Sequence, residues 1–170
     1  MARKRIVLGI SGGIAAYKCA ALVRLFVKAD VDVTCVVTEH AKNFVTPMTL
    51  GTLSKHPVYD DAALFSVVER PLHIALAQEF DAIVVAPATG NIMAKAACGI
   101  ADDLLSSVLL AAAVPVAYAP AMNEVMWNNP ATQQNVKTLM ARGAAEAHHD
   151  TLRTLSKVRR KIGFTERPRY

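Results

Sequence analysis

The sequence predicts an α/β fold, an open parallel sheet with helices on both faces. Three observations point there. Apolar, β-branched runs alternate along the chain with segments of helical period. The runs are continuously apolar, as strands buried on both faces must be. Polar and glycine residues collect just after the runs, in Ser11-Gly12-Gly13, Thr38 to Phe44, Pro87 to Asn91 and Pro120 to Asn123. Ligands of open parallel sheets bind at the carboxyl ends of the strands, so these four loops form the candidate site.

Each element follows from its residues. Arg5 to Ile10 reads as a first strand. Ala15 to Ala29 reads as a helix, with Ala16, Cys19, Ala20, Val23, Phe26 and Val27 on one face. Val31 to Thr38 is a β-branched second strand. Pro47 to Ser54 and Pro71 to Phe80 read as short helices, and Ala82 to Ala86 as a buried strand. Asn91 to Cys98 and Asp103 to Ala112 read as helices, the second opened by acidic residues that suit its dipole. Asp102-Asp103 is better explained by that helix start than by a catalytic carboxylate pair. Val114 to Ala119 is a further strand. Pro130 to Arg142 is a helix with proline in its first turn and Gly143 past its end. No repeat and no earlier linker is visible, so one domain is expected over residues 1–148 and a basic tail over 149–170.

Composition narrows the class. Of 170 residues, 53% are hydrophobic and 19% charged, which suits a packed core and not a disordered chain. The net charge of +5 belongs to the tail. Residues 151–170 hold seven Lys/Arg and one Glu, whereas residues 1–150 hold twelve Lys/Arg and thirteen Asp/Glu. With no basic-aromatic groove in the body, no nucleic-acid partner is expected. The apolar run after Ala2-Arg3-Lys4-Arg5 is too short for a signal peptide. The region Leu104 to Ala121 is broken by Ser106, Ser107, Pro115 and Pro120, so no membrane span is expected and a cytoplasmic location is. Cys19, Cys35 and Cys98 lack the spacing of a zinc ribbon or disulfide framework, and Cys35 reads as a core residue. His148 and His149 adjoin without an apparent third ligand, so no metal is expected.

Gly9-Ile10-Ser11-Gly12-Gly13-Ile14-Ala15-Ala16 joins the first strand to the first helix. It fits neither a dinucleotide fingerprint nor a Walker loop. Taken alone, it is equally a structural turn or a phosphate cradle. Other motifs follow in order: Thr38-Glu39-His40-Ala41-Lys42-Asn43-Phe44, His73-Ile74-Ala75-Leu76, Ala86-Pro87-Ala88-Thr89-Gly90-Asn91, Gly99-Ile100-Ala101-Asp102-Asp103-Leu104-Leu105 and Pro120-Ala121-Met122-Asn123. Across about residues 5–143 the chain resembles the homo-oligomeric flavin-containing cysteine decarboxylases, above all the phosphopantothenoylcysteine decarboxylases.

The resemblance implies a Rossmann-like (flavodoxin-like) sheet and FMN bound at the interface of a homotrimer, sometimes assembled into a dodecamer. The flavin phosphate would meet Gly12, Gly13, Ile14 and Ala15. Thr38 and Phe44 would line the phosphate and ring regions. Pro87, Ala88, Thr89, Gly90, Asn91, Ala121 and Met122 would meet this flavin or a neighbour's. His73 matches the family's catalytic histidine, an acid–base role. Asn123 matches the amide that holds the substrate carboxylate, expected as a buried donor, with Met126 beside the substrate. The implied chemistry explains the cofactor. Cysteine has no electron sink next to its carboxylate; oxidation at Cβ–S to a thioaldehyde creates one, and loss of CO₂ then leaves an enethiolate.

After Gly143 the resemblance stops. Family members continue into a glycine-rich flap, whose cysteine in the phosphopantothenoylcysteine enzymes protonates the enethiolate. This chain has no cysteine after Cys98. The expected function is FMN-dependent decarboxylation, a carbon–carbon lyase reaction, of a C-terminal cysteine carboxylate, with phosphopantothenoylcysteine going to phosphopantetheine in coenzyme A biosynthesis. A peptidyl-cysteine decarboxylase that forms an aminoenethiol and a non-catalytic flavin-binding regulatory subunit are the alternatives.

Overall fold

A computed structural model describes residues 3–65 and 70–146. The expected tail 149–170, the domain boundary at 148, and His148 and His149 lie outside the described residues.

The chain folds as a Rossmann-like α/β sheet. Strands β1 (Lys4–Ile10), β2 (Val31–Val37), β3 (Val58–Tyr59), β4 (Ala82–Ala88), β5 (Val116–Pro120) and β6 (Ala145–Glu146) lie in the order β3-β2-β1-β4-β5-β6. Every pairing is parallel. The helices are α1 (Cys19–Lys28), α2 (Pro47–Ser54), α3 (Leu72–Gln78), α4 (Gly90–Cys98), α5 (Leu104–Leu110), α6 (Glu124–Asn128) and α7 (Pro130–Ala141).

The alternation of side chains along each strand divides the core in two. Ile6, Leu8 and Ile10 of β1, with Ala82, Val84 and Ala86 of β4, face a cluster containing Cys19, Val23 and Phe26 of α1 and Leu50 of α2. Val7, Ile83 and Val85 face the opposite cluster, with Leu76, Ile92, Met93, Leu104, Leu105, Val136 and Leu139. Both faces of the central strands are therefore buried, which is why they read as unbroken apolar runs. Each fully buried aliphatic side chain contributes about 1.5–3 kcal/mol. Gly9 completes the fit, because a Cβ there would stand 2.5 Å from Leu105 Cδ1.

The local signals explain most boundaries, and the misses have physical causes. The helix expected from Ala15 opens instead as a 3-10 segment, Ile14–Lys18, with no side-chain cap on Gly13, and becomes α-helical at Cys19. The strand expected from Val114 starts at Val116. Pro115 accepts from Ile83 N–H through its carbonyl but has no N–H to donate. β3 and β6 span two residues each, too short for any periodic pattern, and the five-residue α6 was likewise not anticipated. Gly143, with φ of 89°, follows α7 in the left-handed conformation that helix ends favour. Cys35 is fully buried in the core, as expected.

Asp103 caps α5, accepting from Ser106 N–H at 2.7 Å while Ser106 Oγ accepts from Asp103 N–H at 3.0 Å. Asp61 accepts from the next amide, Leu104 N–H, at 2.9 Å. Burial works against the Asp103 charge, but hydrogen bonds from Lys95 and Ser106 outweigh it and hold the carboxyl below its ordinary value. A depressed carboxyl contributes stability above its unfolded pKa and loses it as pH falls through the folded one. Asp103→Ala is expected to cost about 1–2 kcal/mol at neutral pH, with the difference from the parent shrinking in acid. Urea titrations of both chains at neutral and acid pH check this.

Candidate functional site

The order of strands reverses at β1, which sends the chain to β2 on one side and receives β4 on the other. The loops leaving β1 and β4 therefore diverge, and a crevice opens at their carboxyl ends. It is a cleft of about 1120 Å³, slightly above the usual range of about 300–1,000 Å³ for small-molecule sites.

Four walls build the cleft, one from each loop named by the sequence. Gly12, Gly13, Ile14 and Ala15 come from the loop after β1, Thr38 from that after β2, Thr89, Gly90 and Asn91 from that after β4, and Ala121, Met122, Asn123 and Met126 from that after β5. Four expected residues are not on these walls. Pro87 and Ala88 are buried at the end of β4, beneath the cleft and not facing it. Phe44, 40% exposed, follows the 3-10 turn Glu39–Asn43 away from the lining. His73 sits in the first turn of α3, half-buried, with a buried Nδ1 that has no hydrogen-bond partner.

Close approach explains the glycines. A Cβ on Gly12 would collide with His40 Cβ and stand 2.9 Å from the His40 carbonyl carbon, so the loops after β1 and β2 touch backbone to backbone. A Cβ on Gly13 would stand 3.2 Å from Thr89 Cγ2. The 3-10 segment after Gly13 and α4 after Thr89 both begin on the cleft, and the first amides of a helix lack carbonyl partners within it. Thr38 adds a buried Oγ1 with no hydrogen-bond partner. These are donor-rich, tight surfaces suited to an anionic group.

The opposite wall is an amide held in place. Asn123 Oδ1 accepts from Val125 N–H at 2.8 Å and caps α6. With the oxygen so engaged, the Nδ2 hydrogens are what the side chain can offer a ligand. Asn123 is exposed in the single chain, contrary to the buried donor expected, because the described residues place nothing over α6.

Sequence reasoning missed several lining residues. Ser11, Glu39 and His40 lie inside loops already singled out, and Tyr17 and Lys18 continue the turn. Lys95 follows Asn91 by one helical turn, a spacing that could have revealed it. Its Nζ lies 2.6 Å from both Asp102 and Asp103. Burial alone would lower its pKa, but the two carboxylates together raise it, so its charge is fixed and already paired.

Comparison with known proteins gives the family and the fold. Residues 1–158 match the family model described as Flavoprotein. The chain is 48% identical over 144 residues to the coenzyme A biosynthesis bifunctional protein CoaBC of Vibrio cholerae serotype O1, covering 84% of this chain and 36% of that protein. The chain thus spans about a third of the length of the curated relatives it matches. Among solved structures it resembles the FMN-dependent cysteine decarboxylase TvaF from thioviridamide biosynthesis, at a TM-score of 0.87 and 28% identity over 95% of this chain and 99% of that one. It also resembles a cysteine-to-serine mutant of PPC decarboxylase complexed with pantothenoylaminoethenethiol, at a TM-score of 0.77 and 31% identity over 85% and 81%.

Gly12→Ala is expected to destabilise the fold by about 1–3 kcal/mol, because backbone obstructs the new methyl. Gly9→Ala is expected to cost less, since the end of the Leu105 side chain can turn aside. Parallel urea titrations check that order.

Proposed function

The chain belongs to the Flavoprotein family, and on that premise we propose that it is an FMN-dependent cysteine decarboxylase. Its proposed substrate is phosphopantothenoylcysteine, converted toward phosphopantetheine in coenzyme A biosynthesis, in the cytoplasm. The observation that carries this reading is that one cleft joins the glycine turn at Gly12–Gly13 to the Asn123 amide, in a chain nearly half identical to CoaBC.

The walls fit FMN. The unpartnered Thr38 Oγ1 and the amides that open the 3-10 segment and α4 suit its phosphate. Phe44, Pro87, Ala88, Ala121 and Met122 belong to the same proposal, the buried pair as support beneath the ring. FMN would supply the two-electron acceptor that turns the substrate's Cβ–SH into a thioaldehyde, the electron sink its carboxylate needs. Asn123 donates from Nδ2 to that carboxylate, oriented by its cap bond to Val125. Met126 packs against the substrate's apolar atoms.

His73 handles the proton, and a second copy of the chain must bring it. It is absent from the cleft of its own chain, while Ile14 (73% exposed), Tyr17 (58%), Val125 (78%) and Met126 (54%) leave an apolar rim uncovered around that cleft. A homotrimer, further assembled into a dodecamer, would cover the rim and deliver His73 to a neighbour's site.

The second reading, a peptidyl-cysteine decarboxylase, is favoured by the likeness to TvaF over nearly the whole chain. Mass spectrometry separates the two. FMN-loaded protein is incubated without oxygen, once with phosphopantothenoylcysteine and once with cysteine-ending peptides. Loss of CO₂ from the small substrate is expected. Turnover of peptides alone establishes the second reading, and FMN binding without either turnover a regulatory subunit.

Intersubunit complementation tests the placement of His73. Asn123→Asp keeps an oxygen for the Val125 cap but replaces the donor by a negative charge, so it should fold and fail to hold the substrate. His73→Asn should bind FMN and release no CO₂. Refolded together in equal amounts, the two inactive variants should regain roughly a quarter of parental activity, the statistical share of intact shared sites. No recovery in a mixed oligomer would put His73 outside the shared site.

A further inference from the structure

Ser11 was not among the expected site residues, yet it is the only fully buried polar side chain on the cleft wall among the described residues, at 2% exposure. Its Oγ donates to Pro87 C=O at 2.7 Å. It accepts from Thr89 N–H at 3.0 Å and lies 3.1 Å from Thr89 Oγ1. Thr89 Oγ1 in turn accepts from Ile92 N–H at 3.4 Å and caps α4.

The Ser11 hydroxyl ties three groups together. Its single hydrogen has two acceptors, Pro87 C=O and Thr89 Oγ1, and its oxygen accepts from Thr89 N–H. Thr89 Oγ1 accepts from Ser11 Oγ and from Ile92 N–H. The α4 amides of Gly90 and Asn91 open on that wall, and Thr89, held by Ser11 and capping Ile92 N–H, aims them. The same serine heads the Gly12–Ala15 turn, with Ser11 N–H also reaching Pro87 C=O at 3.4 Å.

We propose that Ser11 is a positioning residue that locks the two phosphate-facing walls at a fixed separation and thereby sets selectivity for FMN over riboflavin. Ser11 touches no cofactor itself in this scheme. The inference rests on the flavin reading above and deepens it, because the Ser11–Thr89 pair serves only the end of the cleft where a phosphate would lie.

The test is a double-mutant cycle on flavin affinity, read by quenching of flavin fluorescence. Ser11→Ala and Thr89→Val each remove one hydroxyl at little change in volume. Each is expected to weaken FMN binding about tenfold while leaving riboflavin affinity unchanged. The double variant should bind FMN no more than about twofold worse than the weaker single, because one relay is broken only once. Thr89→Ser, which keeps the hydroxyl, should restore parental affinity. Equal FMN affinity in parent and Ser11→Ala overturns the inference, as does a parallel loss for FMN and riboflavin, which would mean general loosening. If Ser11→Ala fails to fold, Thr89→Val against Thr89→Ser makes the same decision. Lack of FMN binding by the parent overturns the flavin reading and this inference together, so the two failures are distinct.

Discussion

Everything in this molecule hangs on the position of β1. It pairs in parallel with β2 on one edge and β4 on the other, and its side chains alternate between the two cores. Parallel pairing forces each strand to leave the sheet at the same end and to return by a helix. Reversal of strand order at β1 then parts the two loops leaving β1 and β4, and the space between them is the cleft. From Ile6 to Ile10 the strand is buried and carries no polar side chain, and Gly9 shows how little steric freedom is left. The site is thus a product of topology, furnished afterwards by short side chains and bare backbone.

This explains what the sequence made legible and what it did not. β1 and β4 were readable because burial on both faces writes them as apolar runs, and β2 because it is rich in β-branched residues. The start of α7 and its end at Gly143 were readable because proline and glycine act locally. β3 and β6 were invisible because two residues carry no period; neighbouring strands recruit them. Thr38, the 12–15 turn, Thr89–Asn91 and the 121–123 loop share one cleft because loops at strand ends converge whatever their composition. Ser11 was missed because a serine beside two glycines looks like turn filler until its partners, far along the chain, are known. His73 falls off the cleft for a different reason. On the proposed reading a neighbouring copy delivers it, and such a position is written into the sequence but not into the fold of one chain.

The charges around the cleft follow a consistent division of labour. Lys95 is fixed by Asp102 and Asp103, and Asp103 and Asp61 are also engaged with the amides that begin α5. These ionic groups hold helices to one another, and Lys18 is the remaining lysine on the cleft wall. The other donors on the wall are neutral: backbone amides, the Asn123 amide and the Thr38 hydroxyl. Neutral donors set in advance suit a bound group whose charge changes during reaction, since they need not reorganise as it does.

The two core cysteines carry a consequence of their own. Cys19 and Cys35 lie on facing elements of one cluster, and burial pushes both thiols up to about 12. At neutral pH neither forms the thiolate that attacks disulfides, alkylating agents or electrophilic sulfur species. The proposed chemistry passes the substrate through a reactive thiocarbonyl, and towards such a species the interior sulfur is chemically silent. Among the described residues, Cys98 alone stands in solvent to meet such species, so any self-inflicted damage is steered to the outside of the sheet.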